Sequence, residues 1–178
     1  MSSSSNTSPS VTLRSVQPGD ANALLTIYQD GIDTGNATFT EKASTWYDWD
    51  NSHLQTCRIA AVQDEALIGW AALSSVTDRC VYGGVAEVSI YVSPAALGRG
   101  VGSMLMQALI VDAESHGIWM LQAGIFPENK ASITLHQNSG FRIVGMREKL
   151  GRMTYGPMRG KWRDVILLER RSSVVGTS

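Results

Sequence analysis

No stretch of this sequence approaches the roughly 20 consecutive apolar residues that a spanning helix needs, so a helical membrane protein is excluded. Cysteine is scarce: there are two, Cys57 and Cys80. Neither belongs to a CxxC pair, and a disulfide framework needs more. Isolated thiols fit a reducing cytosol, so the expected location is cytoplasmic and both thiols are read as small core or surface groups. Charge of one sign is not in excess either. Lys+Arg is 15 and Asp+Glu is 16, giving a net charge of −1. Nucleic-acid binders usually carry a basic excess, so neither nucleic acid nor a membrane is expected as a partner. Charged residues are only 17% against 43% hydrophobic, which excludes disorder over most of the length. No repeat is present. No His/Cys/Asp/Glu group has metal-ligand spacing, so no metal is expected. The first residues have neither a basic start nor an apolar stretch, so they are not a signal peptide.

The 178 residues suit one domain. Polar ends bracket it: a disordered leader over Met1–Ser10, a domain over Val11–Arg171 and a flexible tail over Ser172–Ser178. Alternation predicts strands at Val11–Val16, Arg58–Val62, Leu67–Leu73, Val85–Val92, Trp119–Ile125, Phe141–Leu150 and Trp162–Glu169. Helical spacing predicts helices from Ala21 to about Asp30, Ser44 to about His53, Val101 to His116 and Ala131 to Asn138. In the third, Val101, Leu105, Ala108 and Leu109 share one face, flanked by Met104 and Ala113. Gln63-Asp64-Glu65 reads as a hairpin turn. The class is therefore α/β, or α+β with a mixed, mostly antiparallel sheet flanked by helices.

Chemistry concentrates between Val85 and Ser103. A buried-type strand ends at Ser93-Pro94, and Gly98-Arg99-Gly100-Val101-Gly102-Ser103 opens a helix. Helix N-termini offer unpaired N–H groups and the positive end of the macrodipole, and glycines let the backbone approach an anion. Arg99 would add a phosphate contact. A plain tight turn reads equally well from these residues alone. A Rossmann site would want GxGxxG after the first strand, and a P-loop would want GxxxxGK[ST]; both patterns are absent.

Val88-Ser89-Ile90-Tyr91-Val92-Ser93-Pro94 followed by Gly98-Arg99-Gly100-Val101-Gly102 resembles the acetyl-CoA motif of the GNAT superfamily of N-acetyltransferases. Glu128-Asn129-Lys130-Ala131-Ser132-Ile133, then Leu135-His136 and Gly140-Phe141, resembles that family's second signature. The order and separation match, and the likeness covers Val11 to Arg171. Within the superfamily the chain resembles phosphinothricin and methionine sulfoximine acetyltransferases. The matching stretches are Asn36-Ala37-Thr38-Phe39, Ala86-Glu87-Val88-Ser89-Ile90-Tyr91-Val92, Leu135-His136 and Gly160-Lys161-Trp162-Arg163-Asp164-Val165. Two positions depart: Leu97 stands where the pattern has Arg or Gln, and Gly83-Gly84 where close relatives often carry Arg.

The resemblance implies a GNAT fold, acetyl-CoA as cosubstrate and a homodimer. It implies that amides of Gly98, Arg99, Gly100, Val101, Gly102 and Ser103 hold the pyrophosphate. Ile90, Tyr91 and Val92 would pair with the pantetheine arm, beside a splayed, bulged strand pair. Asn129 would contact the cosubstrate near the thioester. The implied reaction is direct acetyl transfer to the α-amine of a small amino-acid-like molecule. Alternatives are another amine (a protein N-terminus, a polyamine or an aminoglycoside) or a non-catalytic acyl-CoA sensor.

An ammonium must lose a proton before it attacks, which calls for a base. Glu87 is the candidate, its strand being mostly apolar so that burial should raise its pKa. The competing reading is a structural carboxylate paired with Arg79 or with backbone amides. His136 would protonate the departing thiolate or order water, or is simply a packed polar residue. The N–H of Val92 or a neighbour would stabilise the oxyanion. Phe39 and Tyr82 are candidate acceptor-pocket walls. Arg79 would bind a substrate carboxylate, or is a solvated loop charge.

Overall fold

The computed structural model describes residues 10–177. The leader expected over Met1–Ser10 lies outside these apart from Ser10. The strands are β1 (Thr12–Ser15), β2 (Arg58–Gln63), β3 (Ala66–Ser75), β4 (Val85–Val92), β5 (Met120–Ile125), β6 (Arg142–Arg152) and β7 (Trp162–Arg171). The helices are α1 (Ala21–Asp33), α2 (Trp46–Ser52), α3 (Val101–Ser115) and α4 (Lys130–Asn138). The strands form one sheet in the order β1-β2-β3-β4-β5-β7-β6. The β4–β5 pair is parallel and the other neighbours are antiparallel. This is the mixed, mostly antiparallel sheet with flanking helices that the alternating pattern implies. The expected hairpin joins β2 to β3 through Asp64 and Glu65, both at positive φ (49° and 63°). Two left-handed residues suit the twist of a two-residue hairpin loop.

Successive residues of a strand face opposite sides of the sheet, and directly opposed residues face the same side. The register therefore sorts the side chains. One face carries Ala71, Leu73, Ala86, Leu121, Ala123, Ile125, Ile166 and Leu168, packed against Val101, Leu105 and Leu109 of α3. Each fully buried leucine there contributes about 1.5–3 kcal/mol. The other face carries Trp70 and Ala72, covered by Leu24 and Ile27 of α1 and Trp49 of α2. Farther along that face, Phe126 and Val165 pack with Met153.

Several local expectations change. Met104 does not flank the buried face of α3; it is 38% exposed, and Met106 and Ile110 fill the core instead. Helix α1 does not stop near Asp30. It runs through Gly31 to Asp33, because Gly31 is where the helix meets β4: a Cβ there would lie 2.5 Å from the Tyr91 ring. Helix α2 starts at Trp46, since Thr45 is its N-cap and forms a capping box with Asp48. Trp119 precedes β5 rather than opening it, and its ring fills the space beside Gly84, where a Cβ would come within 2.0 Å. That packing accounts for glycine at position 84. Of the segment read as a flexible tail, residues 172–177 are described, and they bend back onto the domain. The Ser172 hydroxyl donates to Glu114 at 2.8 Å, and the Arg171 guanidinium donates to the carbonyls of Val175 and Gly176.

Candidate active site

Strand β4 pairs with β3 from Ala86 to Val92 but with β5 only from Val85 to Glu87. Beyond Glu87 the two central strands diverge, and β5 continues along β7 to Ile125. The amide of Ser93 donates to Ile68 at 2.9 Å. Antiparallel ladders alternate, so Ser93, Tyr91 and Ser89 bond β3, and the N–H and C=O groups of Val88, Ile90 and Val92 face the gap; the backbone of Tyr91, expected to pair with the pantetheine arm, is turned to β3 instead. The expected splay is present; the expected bulge is not, because the β3–β4 register is unbroken.

At the end of β4 the chain turns through Pro94–Ala96 into the glycine segment. Gly98 and Gly100 sit at φ 72° and 78°, and a Cβ at either would meet nothing within 4 Å. Glycine is needed there for the left-handed backbone rather than for room. Gly100 is the N-cap of α3 and has no side chain to offer. Met104 is the residue whose amide bonds back to Gly100, at 3.1 Å. The amides of Val101, Gly102 and Ser103 therefore emerge free at the positive end of the helix, a cradle for an anion. Arg99 is not part of it. Its guanidinium donates to Gln63 at 2.8 Å, and it does not line the adjoining cavity.

That cavity, about 760 Å³, joins the glycine segment, the β4–β5 gap, α1, the loop carrying Phe39, and the start of α4. Glu87, Ile90, Tyr91, Val92, Gly98, Gly100, Val101, Gly102, Ser103, Asn129, His136 and Phe39 all line it. Glu87 is exposed to it, so the expected burial is absent. Its carboxylate accepts from the Gln122 amide at 3.2 Å and does not pair with Arg79. His136 is 2% exposed. Its Nδ1 lies 2.8 Å from the Ser132 carbonyl, so Nδ1 carries the proton and Nε2 is a lone-pair acceptor without a protein partner. Burial holds this imidazole below the ordinary histidine range, partly offset by the Ser132 bond.

Asn129 is the N-cap of α4: its Oδ1 accepts from Ser132 and its Nδ2 donates to the Asn36 carbonyl, both at 3.2 Å. Phe39 lies edge-on to Phe126, with ring centroids 4.9 Å apart. Arg79 and Tyr82 are not in the lining. They pair with each other, the guanidinium 5.5 Å from the ring centroid, in the loop that precedes β4 at the end away from the gap.

Nothing in the sequence singles out Arg163 as a clamp. It is 3% exposed, and its guanidinium donates to Gly35 O and Asn36 Oδ1 at 2.7 Å and to Glu128 at 2.8 Å. It also stacks 3.6 Å from the Phe126 ring centroid. It thus fixes the 35–39 loop to the corner that carries Asn129. Asp30 also lines the cavity, and Arg147 is a further charged group in the lining that sequence reading missed. A charge on a strand shows its face only once pairing is known.

Away from the cavity the fold also assembles a group that sequence spacing concealed. Cys57, Asp112 and His116 bring possible ligand atoms within 4.8 Å of one another. The His116 Nδ1, however, lies 2.8 Å from the Asp112 carbonyl, so the ring donates there and caps the C-terminal end of α3. Burial pushes the Cys57 thiol up to about 11.

Comparison with known proteins bears on these features. The model of the Acetyltransferase (GNAT) family matches residues 23–141. A phosphinothricin N-acetyltransferase of Alcaligenes faecalis is 31% identical over 170 residues, covering 89% of this chain and 81% of that protein. An L-methionine sulfoximine/L-methionine sulfone acetyltransferase of Pseudomonas aeruginosa is 27% identical over 166 residues, covering 90% and 94%. Among solved structures, a GNAT superfamily phosphinothricin acetyltransferase from Sinorhizobium meliloti in complex with AcCoA superposes with a TM-score of 0.83. Its identity is 25%, and the match covers 94% of this chain and 91% of that one.

Proposed function

The chain belongs to the acetyltransferase (GNAT) family, and from that premise we propose that it acetylates the α-amine of a small amino-acid-like acceptor of the phosphinothricin or methionine sulfoximine type. The family and its relatives make it an acetyl-CoA-dependent N-acetyltransferase. The observation that carries the reading of the site is the gap between β4 and β5, which runs from the free amides of α3 to the exposed carboxylate of Glu87.

Each part of that path has a task. The amides of Val101, Gly102 and Ser103 would hold the pyrophosphate, and the left-handed glycines keep side chains out of its way. The outward N–H and C=O groups of Ile90 and Val92 would bond the pantetheine arm as an added strand. The N–H of Val92 or of its outward-facing neighbour Ile90, whichever the arm leaves free, would stabilise the oxyanion that develops during transfer. Glu87 would take the ammonium proton, directly or through water. His136 enters as a neutral acceptor, so it must gain a proton before it can give one to a thiolate. Ordering water with Nε2 fits its state better than acid catalysis. Asn129 would act through its cap on α4, and Phe39 as an acceptor-side wall.

A homodimer is part of the reading. The edge strand β6 exposes Ile143, Val144, Met146 and Leu150, and an apolar sheet edge of this kind needs a cover. No helix among the described residues is long and apolar enough to cross a membrane.

Thiol release from acetyl-CoA, measured with phosphinothricin, methionine sulfoximine, spermidine, an aminoglycoside and a short peptide, tests the reading. Turnover confined to the first two is the expected result. Preference for a polycation or a peptide would replace the acceptor class, and no turnover with any amine would leave a binding module.

A further inference from the structure

We propose that Arg147 is the acceptor-specificity residue, holding the carboxylate of an α-amino acid while its amine is directed toward the β4–β5 gap. The proposal rests on the acetyl-transfer reading above and assigns that site's anionic subsite.

Three observations meet at this residue. First, the lining of the large cavity contains one arginine, Arg147, and no lysine; its carboxylates are Asp30 and Glu87. A wall bearing both signs suits a zwitterion and does not suit a polycation.

Second, strand register puts Arg147 on the acceptor side. Glu87 opposes Gln122 across β4 and β5. Two residues on, Gly124 opposes Leu167 of β7, and two residues back along β7, Val165 opposes Arg147 of β6. Opposed residues share a face and steps of two preserve it. Glu87 and Arg147 therefore face the same side of the sheet, opposite the side on which α3 presents its amides. A thioester anchored at α3 and threaded through the gap emerges toward that side, where an acceptor amine must wait.

Third, the Arg147 guanidinium has no hydrogen-bond or ion-pair partner among the described residues. Neighbouring arginines do: Arg142 pairs with Glu169, Arg152 donates to Gly160, and Arg163 donates to Gly35, Asn36 and Glu128. A guanidinium fork matches a carboxylate bidentately. Arg79, which sequence position favours for this task, stacks on Tyr82 outside the cavity.

The test compares two acceptors that differ only at the proposed contact: L-methionine sulfone and its decarboxylated counterpart, 3-(methylsulfonyl)propan-1-amine. With Arg147→Gln, KM for the amino acid should rise about 10- to 100-fold, the loss expected for a charge-assisted pair. The ratio kcat/KM for the amine without a carboxylate, and CoA affinity by calorimetry, should stay within about twofold. Arg147→Lys should fall between, keeping charge but losing the fork. An equal loss for both acceptors, or no loss for either, overturns the assignment and leaves acetyl transfer standing. A wild-type protein that acetylates neither acceptor overturns both.

Discussion

Replacing Arg163 by methionine should loosen the acceptor wall and lower stability together. The guanidinium is held by Gly35 O and Asn36 Oδ1 at 2.7 Å and by Glu128 at 2.8 Å, and it stacks on Phe126. The ion pair counts for little: the Glu128 side chain is 56% exposed, and such pairs give about 0–1 kcal/mol. The bonds to Gly35 and Asn36 matter more, since a charged donor to a part-buried acceptor contributes roughly 1.5–3 kcal/mol. Stacking adds about 1–2 kcal/mol. Methionine refills part of the volume and removes a buried charge whose Nε has no partner. These opposing effects leave a net loss of about 2–4 kcal/mol. For a chain of this size that lowers Tm by roughly 4–16 °C. Urea titration and thermal melting followed by circular dichroism measure it. Because the clamp fixes the loop bearing Phe39, acceptor KM should rise while CoA affinity holds. Arg163 also keeps the Glu128 carboxyl below the usual range, first through their hydrogen bond. A depressed carboxyl stabilises the fold above its unfolded pKa and loses that contribution on acidification. The gap between wild type and variant should therefore narrow below about pH 4.5. A loss under about 0.5 kcal/mol at pH 7 would refute the clamp, because a surface substitution does no more than that.

Glu87→Gln should lower kcat by about 10²- to 10⁴-fold with CoA binding intact, the range for a lost general base; unchanged kcat in a pre-steady-state assay would remove Glu87 from the chemistry. Gly31→Ala places a methyl 2.5 Å from the Tyr91 ring, so a loss of about 1–3 kcal/mol by urea titration is expected, as for overpacking; neutrality would mean the α1–β4 contact gives way freely. Gly100→Ala should cost about 1–2 kcal/mol and weaken CoA binding in calorimetry, with Gly100→Asn closer to wild type, since the position needs a left-handed backbone and not space. Burial depresses both His53 and His136. The unfolded chain then binds their protons first, so stability is full above about pH 6.5 and falls below it. Urea midpoints at pH 7.5 and 5.5 should differ, and His136→Asn should reduce the difference.

Much of the fold is legible because strong local signals coincide with it. Val85–Val92 is β-branched and falls where the strand lies, and the glycines at 98 and 100 mark the start of α3. What misled was a residue whose role is set by a distant neighbour. Gly31 reads as a helix stop, yet it is the point where Tyr91 touches α1. Met104 has core spacing, but the sheet is met by the Leu105–Met106 side of the helix. Arg163 looks like a polar residue in a strand, and its four contacts lie 35 to 128 positions away in sequence or across a ring. Tertiary packing decides such positions, and no local pattern carries it.

The same reasoning separates the part of the site that sequence reveals from the part it hides. The anion cradle is local: three amides, two left-handed glycines and a helix start lie within six consecutive positions, so a motif can encode it. The acceptor side is not local. Glu87, Gly124, Val165 and Arg147 sit on four strands, and only the order β4-β5-β7-β6 with its register puts them on one face. A register slip of one residue anywhere along that path would send Arg147 to the opposite side. Arg79 stands closer to Glu87 in sequence and looks the better carboxylate ligand. Yet it precedes β4 at the end where β4 and β5 are still paired, whereas the strands open only after Glu87. Acetyl transfer requires the amine at that opening. On the proposed reading the acceptor's second anchor comes from the strands beyond β5, where Arg147 is, among the described residues, the cation that lines the cavity.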